Sequence, residues 1–227
     1  MRSETEKESR LFVNMLILVM SLSAWPTHVL AFGKIVEAPL SFTLNLGKDE
    51  LKNASMPRII ASLRNRGVRT GWETFWDGEP NISLTLVDEI ITVPQLLDKV
   101  KAQNGYAYKH SKGVMNLMSP AILTLKNNYP LELPVQKISL INVTLDEAFD
   151  AIRNAANIST MVYLINPIRE LERIPLFSLP GGITVREAFN EIMLQFGVDS
   201  WGTMFSDLGN GPRGWKYGTV TFTLPPK

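Results

Sequence analysis

Cysteine is absent from the 227 residues, which removes disulfides, thiolate metal ligands and sulfur nucleophiles together. Histidine is nearly absent, since only His28 and His110 occur; a metal centre needs several convergent ligands. Neither sign of charge is in surplus. The 23 basic and 22 acidic side chains leave a net charge of +1, without the basic excess or face that nucleic-acid binders carry. The sequence also contains no G-x-S-x-G, H-E-x-x-H or phosphate-binding GxxxxGK pattern. The glycines of GNGPRG at 209 to 214 are interrupted by a proline and followed by no capped helix, so they read as a hairpin loop rather than a ligand clasp. These gaps point to a chain with no catalytic residues, no cofactor and no metal.

Long apolar runs are scarce too. The one that stands out, Leu11 to Ala24, is broken only by Asn14, Ser21 and Ser23, and it falls short of the ~20 residues of a comfortable membrane span. Lys7 and Arg10 precede it, and Val29 and Ala31 supply small residues before a cleavage point at Phe32. Residues 1–31 are therefore expected to be a signal peptide, leaving an exported chain with no membrane span. A retained anchor or a buried segment are the alternatives. The acidic start (Glu4, Glu6, Glu8) is untypical of a leader, and translation from Met15 would avoid it at the cost of the basic flank.

What is present is a repeat. INVTLDEAFDAIRNAANIS (141–159) is echoed by ITVREAFNEIMLQFGVDS (183–200) and, more loosely, by IITVPQLLDKVKAQNGY (90–106) and ASMPRIIASLRNRGVR (54–69). The apolar residues align as Met56, Ile59, Ile60, Leu63; Val93, Leu96, Leu97, Val100; Leu145, Ala148, Phe149, Ile152; and Val185, Ala188, Phe189, Ile192. Every set has the spacing of a helix with one face on a core. Thr92, Thr144 and Thr184 stand where a cap belongs, with Gln95, Glu147 and Glu187 three residues on as capping-box partners. Gly67, Gly105, Asn157 and Gly197 mark the helix ends.

Between the helices lie alternating or apolar stretches, each read as a strand: SFTLNL, VRTGWETFW interrupted at Gly71, ISLTLV, YAYKHS paired to VMNLMS across Lys112-Gly113, KISLINV, STMVYLI, LFSL, SWGTMF and YGTVTFTL. AILTL is left as strand or link, and NNYP at 127 to 130 is the candidate boundary. The order strand-helix-strand-strand-helix-strand-strand is played twice. The expected fold class is α+β, in two tandem small modules at 40–124 and 130–224, each with two helices on a small mixed sheet. One doubly wound domain is the competing arrangement.

The stretches ISLINVTLDEAFDAIRNAANIS and GGITVREAFNEIMLQFGVDSW, with ISLTLVDEIITVPQLLDKVKAQNGYAYKHSKGVMNLMS in the first half, resemble the short N-terminal domain of secretins and TonB-dependent receptors. The resemblance implies a periplasmic or envelope location, with Gram-negative bacteria the expected source, and a role in protein contacts. It comes without a following pore or barrel segment, so an adaptor is expected rather than a pore component. No catalytic or binding residue is inherited with it.

Candidate contacts follow from the residues themselves. Trp201 and Trp215 are expected to flank the closing hairpin, whose edge, with that of hairpin 106–118, is read as open to a partner strand. Trp72 and Trp76 stand among Glu73, Asp77 and Glu79, a combination that suits a glycan cleft as well as structure. Arg64, Arg66 and Arg69 form a small basic cluster around Gly67, suited to an anionic partner or simply to a solvated helix end. The first expectation is a non-catalytic envelope adaptor that binds another protein through its second module. The alternative is a polysaccharide-binding module built on the Trp72 and Trp76 region.

Overall fold

A computed structural model describes residues 43–45, 55–75, 84, 90–123, 129–158, 161–166, 171–206 and 217–225. All of them lie within one compact unit, Glu37–Lys227. The expected leader and its cleavage point fall outside the described residues.

The two halves repeat one plan. The first runs β1 (Thr43–Asn45), α1 (Met56–Asn65), β2 (Arg69–Phe75), β3 (Ile90–Thr92), α2 (Val93–Asn104), β4 (Ala107–Ser111) and β5 (Val114–Met118). A short helix, α3 (Pro120–Leu123), and a 3-10 turn at Pro130–Glu132 lead to the second half. There β6 (Ile138–Val143), α4 (Leu145–Ala155), β7 (Met161–Asn166), β8 (Ile174–Leu179), α5 (Val185–Phe196), β9 (Ser200–Ser206) and β10 (Tyr217–Thr223) follow. AILTL thus begins as a helical turn. Of ISLTLV, only Leu84 is described, and it is buried.

Local chemistry accounts for the helix limits. Thr92, Thr144 and Thr184 each accept the N–H of the residue three positions on, while Gln95, Glu147 and Glu187 return a side-chain oxygen to the cap N–H. Both orphan donors are thereby satisfied. Asn157, at φ 56, adopts the left-handed geometry that glycine supplies at the ends of α2 and α5. The Lys112-Gly113 turn has positive φ at both residues, the twist that a two-residue hairpin needs.

Among the described residues, three sheets result. β1 pairs antiparallel with β3, and β6 antiparallel with β8. The third is six-stranded, in the order β4-β5-β2-β9-β10-β7. Two separate small sheets were expected; instead β2 of the first half lies parallel to β9 of the second and makes one sheet of both. The α+β class stands, while the halves share a backbone ladder.

The pleat decides what each face meets. Residues paired across a ladder share a face, so Trp72 and Gly202 lie together on one side and Glu73 and Thr203 on the other. Trp72 packs with the first-half core of Met56, Ile59, Leu63, Leu96, Leu97, Met115 and Leu117. Trp201, Phe205, Val220 and Phe222 pack with Phe149 and Phe189 in the larger second-half core. The first half therefore places its helices on one face of the shared sheet and the second half on the opposite face. Two cores are strung on one sheet.

Gly71 shows how tightly the halves meet. A Cβ there would stand 2.4 Å from Cζ2 of Trp201 and 2.6 Å from Oδ1 of Asn116. β2 does not break at this glycine, as the sequence suggested; it runs through it, because the missing side chain is the space the Trp201 ring occupies.

Candidate interaction site

α5 does more than its apolar stripe required. Val185, Ala188, Phe189 and Ile192 are buried as expected, but so are Arg186 and Asn190 on the side that read as polar. The reason is position: this helix covers its own half's sheet and also reaches the rear face of the first half. Arg186 grips Glu73 with two nitrogens, Nε to Oε1 and Nη2 to Oε2 at 2.9 Å, and its Nη1 bonds Glu132. Glu73 is fully buried and accepts a third hydrogen bond, from the Tyr129 hydroxyl at 2.8 Å. Lys112, in the β4–β5 turn, forms an ion pair with Glu191 of α5. Asn190 accepts the indole N–H of Trp201 at 2.9 Å.

The electrostatics fit a structural clamp. Burial disfavours the Arg186 charge, but the bonds and charges of Glu73 and Glu132 outweigh it and hold the guanidinium protonated. Burial first, and then the Glu73 charge, push the Tyr129 hydroxyl well above its usual range. A fully buried carboxylate held by a bidentate arginine and a tyrosine is not presented to solvent. Glu73 is thereby removed from the acids that a glycan cleft near Trp72 would use.

The opposite side of the second half differs. There α1 borders the front face of β7, β9 and β10. Its Pro57, Ile60, Ala61 and Arg64, with Trp72 and Thr74 of β2, wall a groove of about 470 Å³. The floor is Ser200, Gly202 and Met204 of β9, Thr219, Thr221 and Thr223 of β10, and Leu164 of β7. Val162 and Leu164 are more than half exposed there, and Met204 is exposed as well. Adjacent exposed apolar side chains on a sheet face mark an interaction surface more often than an isolated one does.

The sequence candidates divide over this geometry. Trp201 is 1 % exposed; it is a core ring edge-on to Phe189, which corrects its reading as a displayed anchor. The expected open edge of hairpin 198–224 is corrected too, because β9 lies between β2 and β10, and β10 between β9 and β7. Hairpin 106–118 does supply an outer strand, β4. Trp72 is half-buried and walls the groove. Trp76 and Trp215 lie outside the described residues. The arginine cluster is divided: Arg64 lines the groove, Arg66 is exposed at the end of α1, and Arg69 shares the face of Gly71 and Glu73.

Sequence reasoning missed Val162, Leu164, Met204 and the three threonines of β10. The alternation in YGTVTFTL was visible, but not that its threonine side would be left open beside α1. Among the described residues, no helix is long and apolar enough to cross a membrane, and no group of three or more acids and histidines could hold a metal ion. Comparison with protein-family models, with curated proteins and with solved structures finds no match.

Proposed function

We propose that this chain is a non-catalytic interaction protein of the bacterial envelope, and that it captures another protein through the open face of its second half. The observation that carries this reading is the groove between α1 and β7, β9 and β10, with Val162, Leu164 and Met204 exposed on a sheet face. A partner side chain entering it meets an apolar wall at Ile60 and Trp72, and threonine hydroxyls that exchange hydrogen bonds with a backbone. Tryptophan, as at Trp72, is among the residues that dominate interface energetics. The export and envelope parts of the reading rest on the leader-like residues 1–31 and on the resemblance to the secretin and TonB-receptor short N-terminal domain.

A second reading keeps the groove and changes the occupant. The Trp72 wall beside the Thr219, Thr221 and Thr223 row also suits a polysaccharide, whose sugar faces stack on aromatics and whose hydroxyls bond to threonine. The tagged chain, retained on beads in envelope extract from the native host, separates the two. Met204→Asp, which charges the floor, abolishes protein capture on the first reading and leaves it intact if the groove is idle. Recovery of glycan in place of protein, lost in Trp72→Ala, supports the second reading. Recovery of the chain with an intact Met1 from a cytoplasmic fraction would overturn the envelope location.

A further inference from the structure

The shared sheet contains its own assembly rule. The three strands of the first half stand in the order β4-β5-β2 and those of the second in the order β9-β10-β7. By position in the repeat, β9 corresponds to β4, β10 to β5 and β7 to β2. The contact that joins the halves, β2 against β9, is therefore the last strand of one unit laid parallel to the first strand of the next. At the two ends of the sheet the same pair of edges recurs. β7 is a last strand, β4 is a first strand, and no described strand covers either one on its outer side.

We propose that a second copy of this chain adds to the sheet by laying its β4 parallel to β7, repeating between molecules the β2–β9 contact within one. The directions agree. β5 and β2 run together and β4 runs against them, whereas β10 and β7 run opposite to β5 and β2. A β4 parallel to β7 thus brings the incoming copy into the same orientation as the first, and the addition can be repeated. Such a contact is heterologous: each molecule uses one edge to give and the other to receive, which yields rings or filaments rather than closed two-fold dimers.

The side chains suit the contact. Edge strands that avoid pairing carry charges, prolines or bulges, but β7, MVYLIN, has none of the charges or prolines, and it exposes Val162 and Leu164 on the groove side. β4, AYKHS, places Tyr108 and His110 on the corresponding side, with Lys109 exposed on the other. On that other side of β7, Tyr163 bonds Asp146, and Asp150 lies one helical turn further along α4. Lys109 thus approaches Asp146, while Asp150 is already paired with Arg153 of α4. The incoming α2, which packs beside its own β4, would lie along Val162 and Leu164 and wall the groove from the side opposite α1.

The absence of cysteine makes the test direct. His110→Cys and Val162→Cys are prepared as two single variants of the full chain and mixed with a bis-maleimide long enough to tolerate a shift in register. The mixture is expected to give a cross-linked heterodimer, each variant alone to remain largely without cross-links, and the double variant to give a ladder. Leu164→Arg, at an exposed position, is expected to abolish the ladder and the rise of weight-average mass with concentration in sedimentation equilibrium. Efficient linking of Val162→Cys to itself would show an isologous β7–β7 pair and overturn the proposal. So would mixed links no stronger than those between His110→Cys and a control cysteine at exposed Glu172. A wild-type mass that stays monomeric up to the solubility limit overturns it independently of any cysteine.

Discussion

Replacing Arg186 by methionine tests the clamp between the halves. Methionine keeps the length and apolar stem of the side chain but removes three of its contacts, two to Glu73 and one to Glu132. Glu73 is fully buried and would then depend on the Tyr129 hydroxyl alone. An uncompensated buried carboxylate after loss of its partner costs about 3–5 kcal/mol. Total stabilities of about 5–15 kcal/mol leave the variant folded but weak. Glu73→Leu should cost less, toward the low end of that range, because Glu132 still neutralises Arg186 and is itself half exposed. The double variant should then lose less than the two singles summed, with a coupling of about 1–3 kcal/mol for residues in direct contact.

Urea unfolding, followed by tryptophan fluorescence and by far-ultraviolet dichroism, supplies these values. If the clamp holds the first half to α5, the two probes coincide in the wild type and separate in Arg186→Met, since Trp72 belongs to one core and Trp201 to the other. A loss below about 1 kcal/mol for Arg186→Met, or strict additivity in the double variant, would refute the reasoning. Either result would mean that Glu73 finds water or another donor when the arginine leaves.

Four further outcomes are expected. Gly71→Ala forces a methyl into the Trp201 ring, which Asn190 pins, and should cost at least the ~1–3 kcal/mol of an overpacked core in a chemical melt. Phe149→Ala empties a buried site ringed by Tyr163, Phe189 and Phe222 and should cost about 3–5 kcal/mol. Thr144→Ala removes the cap bond to the Glu147 N–H at 3.2 Å and should cost about 0.5–2 kcal/mol by the same melt. For Tyr129 the folded-state pKa is raised, so its contribution is complete below the ordinary tyrosine range and is lost as pH climbs through that range toward the folded value. Thermal melts at rising alkaline pH should show Tyr129→Phe losing less stability than the wild type.

The parts of the fold that local chemistry decides were legible in the sequence. Met56, Ile59, Ile60 and Leu63 are buried, as are the matching residues of the other three stripes, because a helix on a core must repeat its apolar residues at that spacing. The three threonine caps and the left-handed Asn157 were legible for a similar reason, since each satisfies groups within a few residues of itself. The partners of a strand edge leave no such mark. β2 reads the same whether β9 covers it or water does, and the glycine that admits Trp201 looks from sequence like a break. Arg186 and Asn190 misled in the opposite direction, as polar residues on an apparently solvated helix side whose partners lie more than a hundred residues and eleven residues away.

The open face follows from the repeat itself. In passing from the first half to the second, the strand order is kept while every direction is reversed. Two units of the same hand achieve this only if one is turned over about an axis lying in the sheet, across the strands, so their helices must fall on opposite faces. Each unit then shows a bare strand face beside the helices of its neighbour. For the first half, that face is covered by α5 through Arg186 and Glu191. For the second half, the corresponding cover would have to come from a unit placed beyond β7, and among the described residues none stands there. Val162, Leu164 and Met204 are thus exposed where the repeating plan calls for one more neighbour, which is why both the groove and the β7 edge are the places to look for a partner.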